Sequence, residues 1–187
     1  FSLVKGSASP DPSAAQPTTD DWPTYRGDRW RSGSSAGDGP ISLATKWRTN
    51  LADPAALPDG PILHDWRENP FVKGSVSAPT IANGRVFVAL SDAHEVVSIH
   101  ASSGKTAWRF TARGRVDTPP TIHRGLALFG CHAGYVYALN ASSGEQVWKF
   151  QAAPHDERIV AYGQVESPWP VPGAVMARDK SVYFVAG

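Results

Sequence analysis

Cysteine is almost absent from this chain of 187 residues: Cys131 stands alone. No internal disulfide can form, and no zinc site can be built on paired cysteines. Charge is sparse too, at 19% of residues with a formal net charge of +1. That leaves no basic excess for nucleic acid and too little charge for a disordered tail. No apolar run approaches the roughly 20 residues needed to cross a bilayer. The chain begins at Phe1 without a basic or apolar leader, so any signal peptide or upstream domain is expected to lie outside it. What is plentiful is turn-forming and aromatic, with 17 Gly, 16 Pro and 7 Trp. Such a composition suits an all-β protein of many short strands.

A repeat organises the sequence. Ser98–Trp108 reads SIHASSGKTAW and Ala138–Trp148 reads ALNASSGEQVW, with Gly104 and Gly144, and Trp108 and Trp148, a constant 40 residues apart. A period near forty fits a propeller blade of four antiparallel strands. Residues 74–113 form one such unit, with an Asn83-Gly84 hairpin turn, and 114–152 form a second, with Arg124-Gly125 in its place. Residues 153–187 hold a loop and the start of a third, where Val182-Tyr183-Phe184-Val185-Ala186 matches Val86-Phe87-Val88-Ala89. The expected fold is thus a partial propeller of about two whole and two incomplete blades, part of a longer ring.

Upstream, residues 1–20 are rich in Ser, Pro and Ala and are expected to be a flexible lead-in, with Phe1 to Val4 as a possible strand tail. Residues 21–73 make an N-terminal arm, a partial blade and a long loop. In the arm, Arg26, Arg29 and Arg31 read either as an anion-binding set or as side chains stacked on aromatics beside Trp22 and Tyr25. Lys46-Trp47-Arg48 resembles the two later Trp positions, so Trp47 is expected in the closing strand of an incomplete repeat.

The run Ala138-x-Asn140-x-x-Ser143-Gly144-x-x-x-Trp148 resembles the tryptophan-docking repeat of the pyrroloquinoline-quinone (PQQ)-type β-propellers, Ala-x-Asp-x-x-Thr-Gly-x-x-x-Trp. The resemblance implies that Asn140 and Ser143 close a turn, that Gly144 takes a left-handed conformation, and that the Trp lies across the interface to the next blade. Trp47, Gly104, Trp108, Asn140, Ser143, Gly144 and Trp148 are therefore the expected docking residues. Trp22-Pro23-x-Tyr25-Arg26-Gly27 is similar to the opening of large bacterial PQQ-like repeat proteins, planctomycete ones among them.

The family implies two functions. One is a non-catalytic scaffold for binding or assembly, like the propeller lipoprotein of outer-membrane protein assembly. The other is a fragment of a quinoprotein alcohol or aldose dehydrogenase, with PQQ and calcium at the propeller centre under a vicinal disulfide. A single cysteine cannot supply that disulfide, so no cofactor is expected in this segment, and missing blades would have to carry the site. The family also implies a periplasmic or envelope location. Protein or glycan partners and the remaining blades are the expected contacts, without nucleic acid or a membrane span.

Candidate contacts are Trp66 and Arg67 in the loop from Asp53 to Phe71, and His155, Glu166 and Trp169 in the interruption from Gln151 to Pro172. Glu166-Ser167-Pro168-Trp169-Pro170 reads as a ligand platform or an interblade plug. Cys131 and His132 are expected to point to opposite faces of a strand end and not to share a metal. No catalytic residue and no metal ligand is assigned.

Overall fold

A computed structural model describes residues 1–11, 18–35, 37–51, 60, 64, 68 and 74–187. Trp66, Arg67 and nearly all of the loop expected around them lie outside these. The regular structure is antiparallel β. Strand β1 (Ser2–Lys5) opens the chain. Blade one follows as β2 (Thr80–Ala82), β3 (Arg85–Leu90), β4 (Glu95–His100) and β5 (Thr106–Thr111), paired in chain order. Blade two repeats the order with β6 (Thr121–His123), β7 (Leu126–Cys131), β8 (Tyr135–Asn140) and β9 (Gln146–Gln151). Two hairpins complete the chain, β10 (Ile159–Ala161) with β11 (Gln164–Glu166), and β12 (Met176–Arg178) with β13 (Ser181–Tyr183).

Local chemistry explains the repetition. In both blades the first hairpin turns on two residues with positive φ, Asn83 (52°) and Gly84 (68°), then Arg124 (49°) and Gly125 (74°). That is the turn whose twist matches paired strands. Both blades also shift register at equivalent places, between Ser98 and Ile99 and between Ala138 and Leu139. The middle strands are buried on both faces and read as apolar runs, whereas in β5, on an outer edge, only Trp108 is fully buried.

The blades stack through apolar layers. Phe87, Val96 and Trp108 of blade one pack with Phe129, Tyr137 and Leu139 of blade two. Leu128 and Val136 pack on Val171 and Val175, with Phe150, Val182 and Phe184 beside them. On its far side, blade one buries Val88, Leu90, Val97 and Ile99 under Trp47 and Leu51. Each such fully buried side chain contributes about 1.5–3 kcal/mol.

Three features differ from the sequence reading. Ser2–Lys5, expected within a flexible lead-in or, over Phe1 to Val4, as the tail of an upstream strand, is a fifth strand on blade two, paired with β9 from Ser2↔Gln151 to Lys5↔Trp148. It satisfies the outer backbone edge of β9, a partner too distant in sequence for local reasoning to find. Residues 43–51 form no strand; Trp47 is held through its side chain instead. Between 153 and 172, β10 and β11 make a hairpin on Tyr162 (φ 49°) and Gly163 (φ 72°) where a loop was expected.

Candidate functional site

Two tryptophans fix consecutive layers in the same way. Trp47 donates from Nε1 to the Ala101 carbonyl at 2.8 Å, and Trp108 to that of Ala141 at 3.1 Å. Each ring covers a glycine of the turn that supplies its acceptor. A Cβ on Gly104 would come within 2.7 Å of Trp47 Cδ2, and one on Gly144 within 2.6 Å of Trp108 Cδ2. Both glycines also have positive φ, 71° and 78°, which L side chains adopt at a cost. Asn140 shapes the second turn: its Oδ1 accepts from the Ser142 and Ser143 amides at 2.9 and 3.0 Å, while Nδ2 donates to the Ser9 carbonyl. Ser143 Oγ accepts from the Glu145 amide at 3.3 Å. Trp148 packs beside Leu128 and Val182 and is only partly buried.

Consecutive blades meet through their first strands, β2 with β6 and β6 with β12, so these strands face the hub. Threonine hydroxyls tie them together: Thr80 Oγ1 donates to the Pro120 carbonyl at 2.8 Å and Thr121 Oγ1 to that of Val175 at 2.5 Å. The arm crosses the free edges of these strands. Trp22 exchanges backbone bonds with Ile81 at 2.7 and 2.8 Å, the Ile122 amide donates to the Pro23 carbonyl at 2.7 Å, and Arg31 reaches the Ala174 carbonyl at 3.0 Å. The arm's own turn is built on Asp28, whose carboxyl accepts from Ser32 Oγ and from the Ser32 and Trp30 amides; these bonds hold its pKa below the usual carboxylate value. Arg31 lies over Tyr25 and Arg29 over Trp30. A cleft of about 500 Å³ runs between arm, β6 and β12.

The most concentrated chemistry is buried. Arg115 and Asp117, in the connection from β5 to β6, meet His132 at the end of β7 and Glu166 at the end of β11. Arg115 Nε lies 2.9 Å from Asp117 Oδ1 and Nη1 lies 3.1 Å from Glu166 Oε1. His132 Nε2 lies 2.7 Å from Asp117 Oδ2 and Nδ1 lies 2.9 Å from Glu166 Oε2. Each carboxylate thus bridges both cations in a closed ring of four. Of these contacts the His132–Glu166 one has good hydrogen-bond angles; the others are ion pairs bent away from ideal hydrogen-bond geometry. The Arg115 side chain has no solvent exposure, and the other three expose 7% or less. Burial disfavours a charged imidazole, yet the carboxylates of Asp117 and Glu166 outweigh it and raise the pKa of His132 above its ordinary value, against the opposing charge of Arg115. With His132 protonated, two positive and two negative charges balance.

A family model, PQQ_2, described as outer membrane protein assembly factor BamB, matches residues 30–185. The chain belongs to this PQQ-like repeat family. No curated protein matches its sequence. Among solved structures, the quinohemoprotein alcohol dehydrogenase from Comamonas testosteroni is similar in fold, with a TM-score of 0.64 at 18% identity over 89% of this chain. A europium-containing methanol dehydrogenase gives 0.55 at 14% identity over 88%. The chain spans 23% and 27% of those two proteins. These likenesses establish the all-β propeller fold.

Within this PQQ-like segment the candidate contacts separate. Glu166, expected as a ligand or partner contact, is buried at 4% exposure and paired with Arg115 and His132. His155 is exposed and meets Trp169 edge-on, with ring centroids 5.9 Å apart. Trp169 is half-buried beside Phe1, Phe150 and Phe184 around an apolar recess of about 380 Å³. Arg115, Asp117 and His132 were missed as a group because charged residues between strands read as solvated. A signal existed: Gly74-Ser75-Val76-Ser77 aligns with Gly114-Arg115-Val116-Asp117, and Ser91 with His132. Three serine positions of one blade become three charged ones in the next.

Proposed function

We propose that this segment is a non-catalytic PQQ-like propeller scaffold that binds a protein partner in the bacterial cell envelope. The observation that carries the reading is the arm over the hub. Backbone bonds from Trp22 and Pro23 to Ile81 and Ile122 occupy the edges that face the propeller centre, the place where the family resemblance would put a quinone. Of the groups that could serve PQQ with calcium, Asp117 and Glu166 are tied to Arg115 and His132 and the one cysteine is buried, which supports the same reading. The family's description as an outer membrane protein assembly factor supports a protein partner and an envelope location.

The contact surface in this reading is the β10–β11 hairpin with its flanks. Val160 and Val165 pair across the strands and are 78% and 58% exposed, with Ile159 and Tyr162 adjacent. An apolar pair of that exposure on a sheet that has two strands among the described residues is unusual unless something covers it. Calorimetric titration with PQQ and calcium tests the non-catalytic reading: no saturable heat is expected, and calcium-dependent binding would move the assignment to a quinoprotein dehydrogenase fragment.

A further inference from the structure

The ring of Arg115, Asp117, His132 and Glu166 joins three separate pieces of chain: the β5–β6 connection, the end of β7, and the β10–β11 hairpin through its last residue. We propose that it is a proton-controlled latch, which holds the hairpin against blade two while His132 is charged and releases it when the imidazole loses its proton.

The argument is one of charge count in a buried site. Protonated, His132 donates toward Asp117 from Nε2 and toward Glu166 from Nδ1. Losing that proton leaves Arg115 alone against two carboxylates, a net negative charge with no solvent to share it, and one carboxylate oxygen without its donor. A buried charge stripped of its partner is strongly destabilising. Relief comes from the weakest-held member. Blade two is fixed by its core, and Arg115 and Asp117 sit between two blades. Glu166 ends a two-stranded hairpin whose outer face is exposed.

Among the described residues, hydrogen bonds also hold that hairpin and its flanks. The Ser167 amide donates to the His132 carbonyl at 2.8 Å, His94 Nε2 meets Gln164 Oε1 at 2.8 Å, and Arg158 Nη1 reaches the Ala133 carbonyl at 3.3 Å. The titratable and charged groups around His132 are Arg115 and Asp117 from the connection, Glu166 from β11, its neighbour Cys131, and Arg158 from the segment before β10. The Cys131 thiol is pushed up by burial and stays neutral. Arg158 is paired with Asp156 at 2.8 Å. Neither supplies the charge that His132 gives up.

The test is amide hydrogen exchange on the intact chain from pH 6 to pH 9, corrected for the intrinsic rate, with β8 as internal reference. Protection across 159–166 is expected to fall at least tenfold relative to β8 as pH rises. In Glu166→Gln one carboxylate remains opposite Arg115, the neutral ring is tolerated, and the pH dependence should vanish. Nitrogen-15 shifts of the His132 ring in the wild-type chain should report titration over the same range, which keeps the proposal testable if the variant folds poorly. Protection that is flat with pH, that falls in step with β8, or that keeps its pH dependence in Glu166→Gln would overturn the latch.

Discussion

Trp108 presses the face of its indole onto Gly144 while its Nε1 bonds the Ala141 carbonyl at 3.1 Å, so one side chain holds the next blade by both packing and hydrogen bonding. Trp47 repeats the arrangement on Gly104 and Ala101. A blade interface here depends on the absence of a Cβ as much as on the ring that fills the space.

Gly144→Ala should therefore destabilise the chain by about 2–4 kcal/mol, from backbone strain at positive φ and overpacking against Trp108. Gly173→Ala is the control, since its Cβ would meet nothing within 4 Å. Chemical denaturation of the two variants measures the difference; equal midpoints would refute close docking.

Trp108→Ala should cost about 3–5 kcal/mol as a large buried aromatic, and Trp108→Phe about 1 kcal/mol through the lost hydrogen bond. Trp148 is only partly buried, so Trp148→Ala should cost less than Trp108→Ala. Melting curves of the three variants give the order directly.

Replacing Thr80 or Thr121 by Val keeps the shape and removes the hydroxyl that bridges first strands. Each change should cost about 1–3 kcal/mol, because a buried carbonyl loses its donor. The double variant should be close to additive if the two bridges act independently, as a denaturation series would show.

Stability should also depend on the proton of His132. Its folded pKa is raised above 6.5, so the stabilisation it brings is complete below that value and is lost as pH rises through the folded pKa. A chain with His132→Gln should lack that component, and melting midpoints from pH 5.5 to pH 9 should diverge least at the alkaline end.

Much of this architecture could be read from the residues. Ala-Ser-Ser-Gly with a Trp four residues later fixed the period, and Asn83-Gly84 marked a hairpin because both residues tolerate positive φ. Tyr162-Gly163 makes a similar turn, but a tyrosine gives no such signal, and β10–β11 was hidden. The Arg115–Glu166 ring was hidden for another reason. Its members come from three segments up to 51 positions apart, and only the stacking of blade on hairpin brings four charges into one dry site. Strand β1 depended on the same kind of distant pairing.

The measurement that tests the account most directly is amide exchange at Ile81 and Ile122, with and without PQQ and calcium. If the arm closes the hub, both amides, bonded to Trp22 and Pro23, exchange slowly and are indifferent to the added quinone. Rapid exchange at both, or a change in their protection when PQQ and calcium are added, would contradict a scaffold whose centre is covered by its own chain.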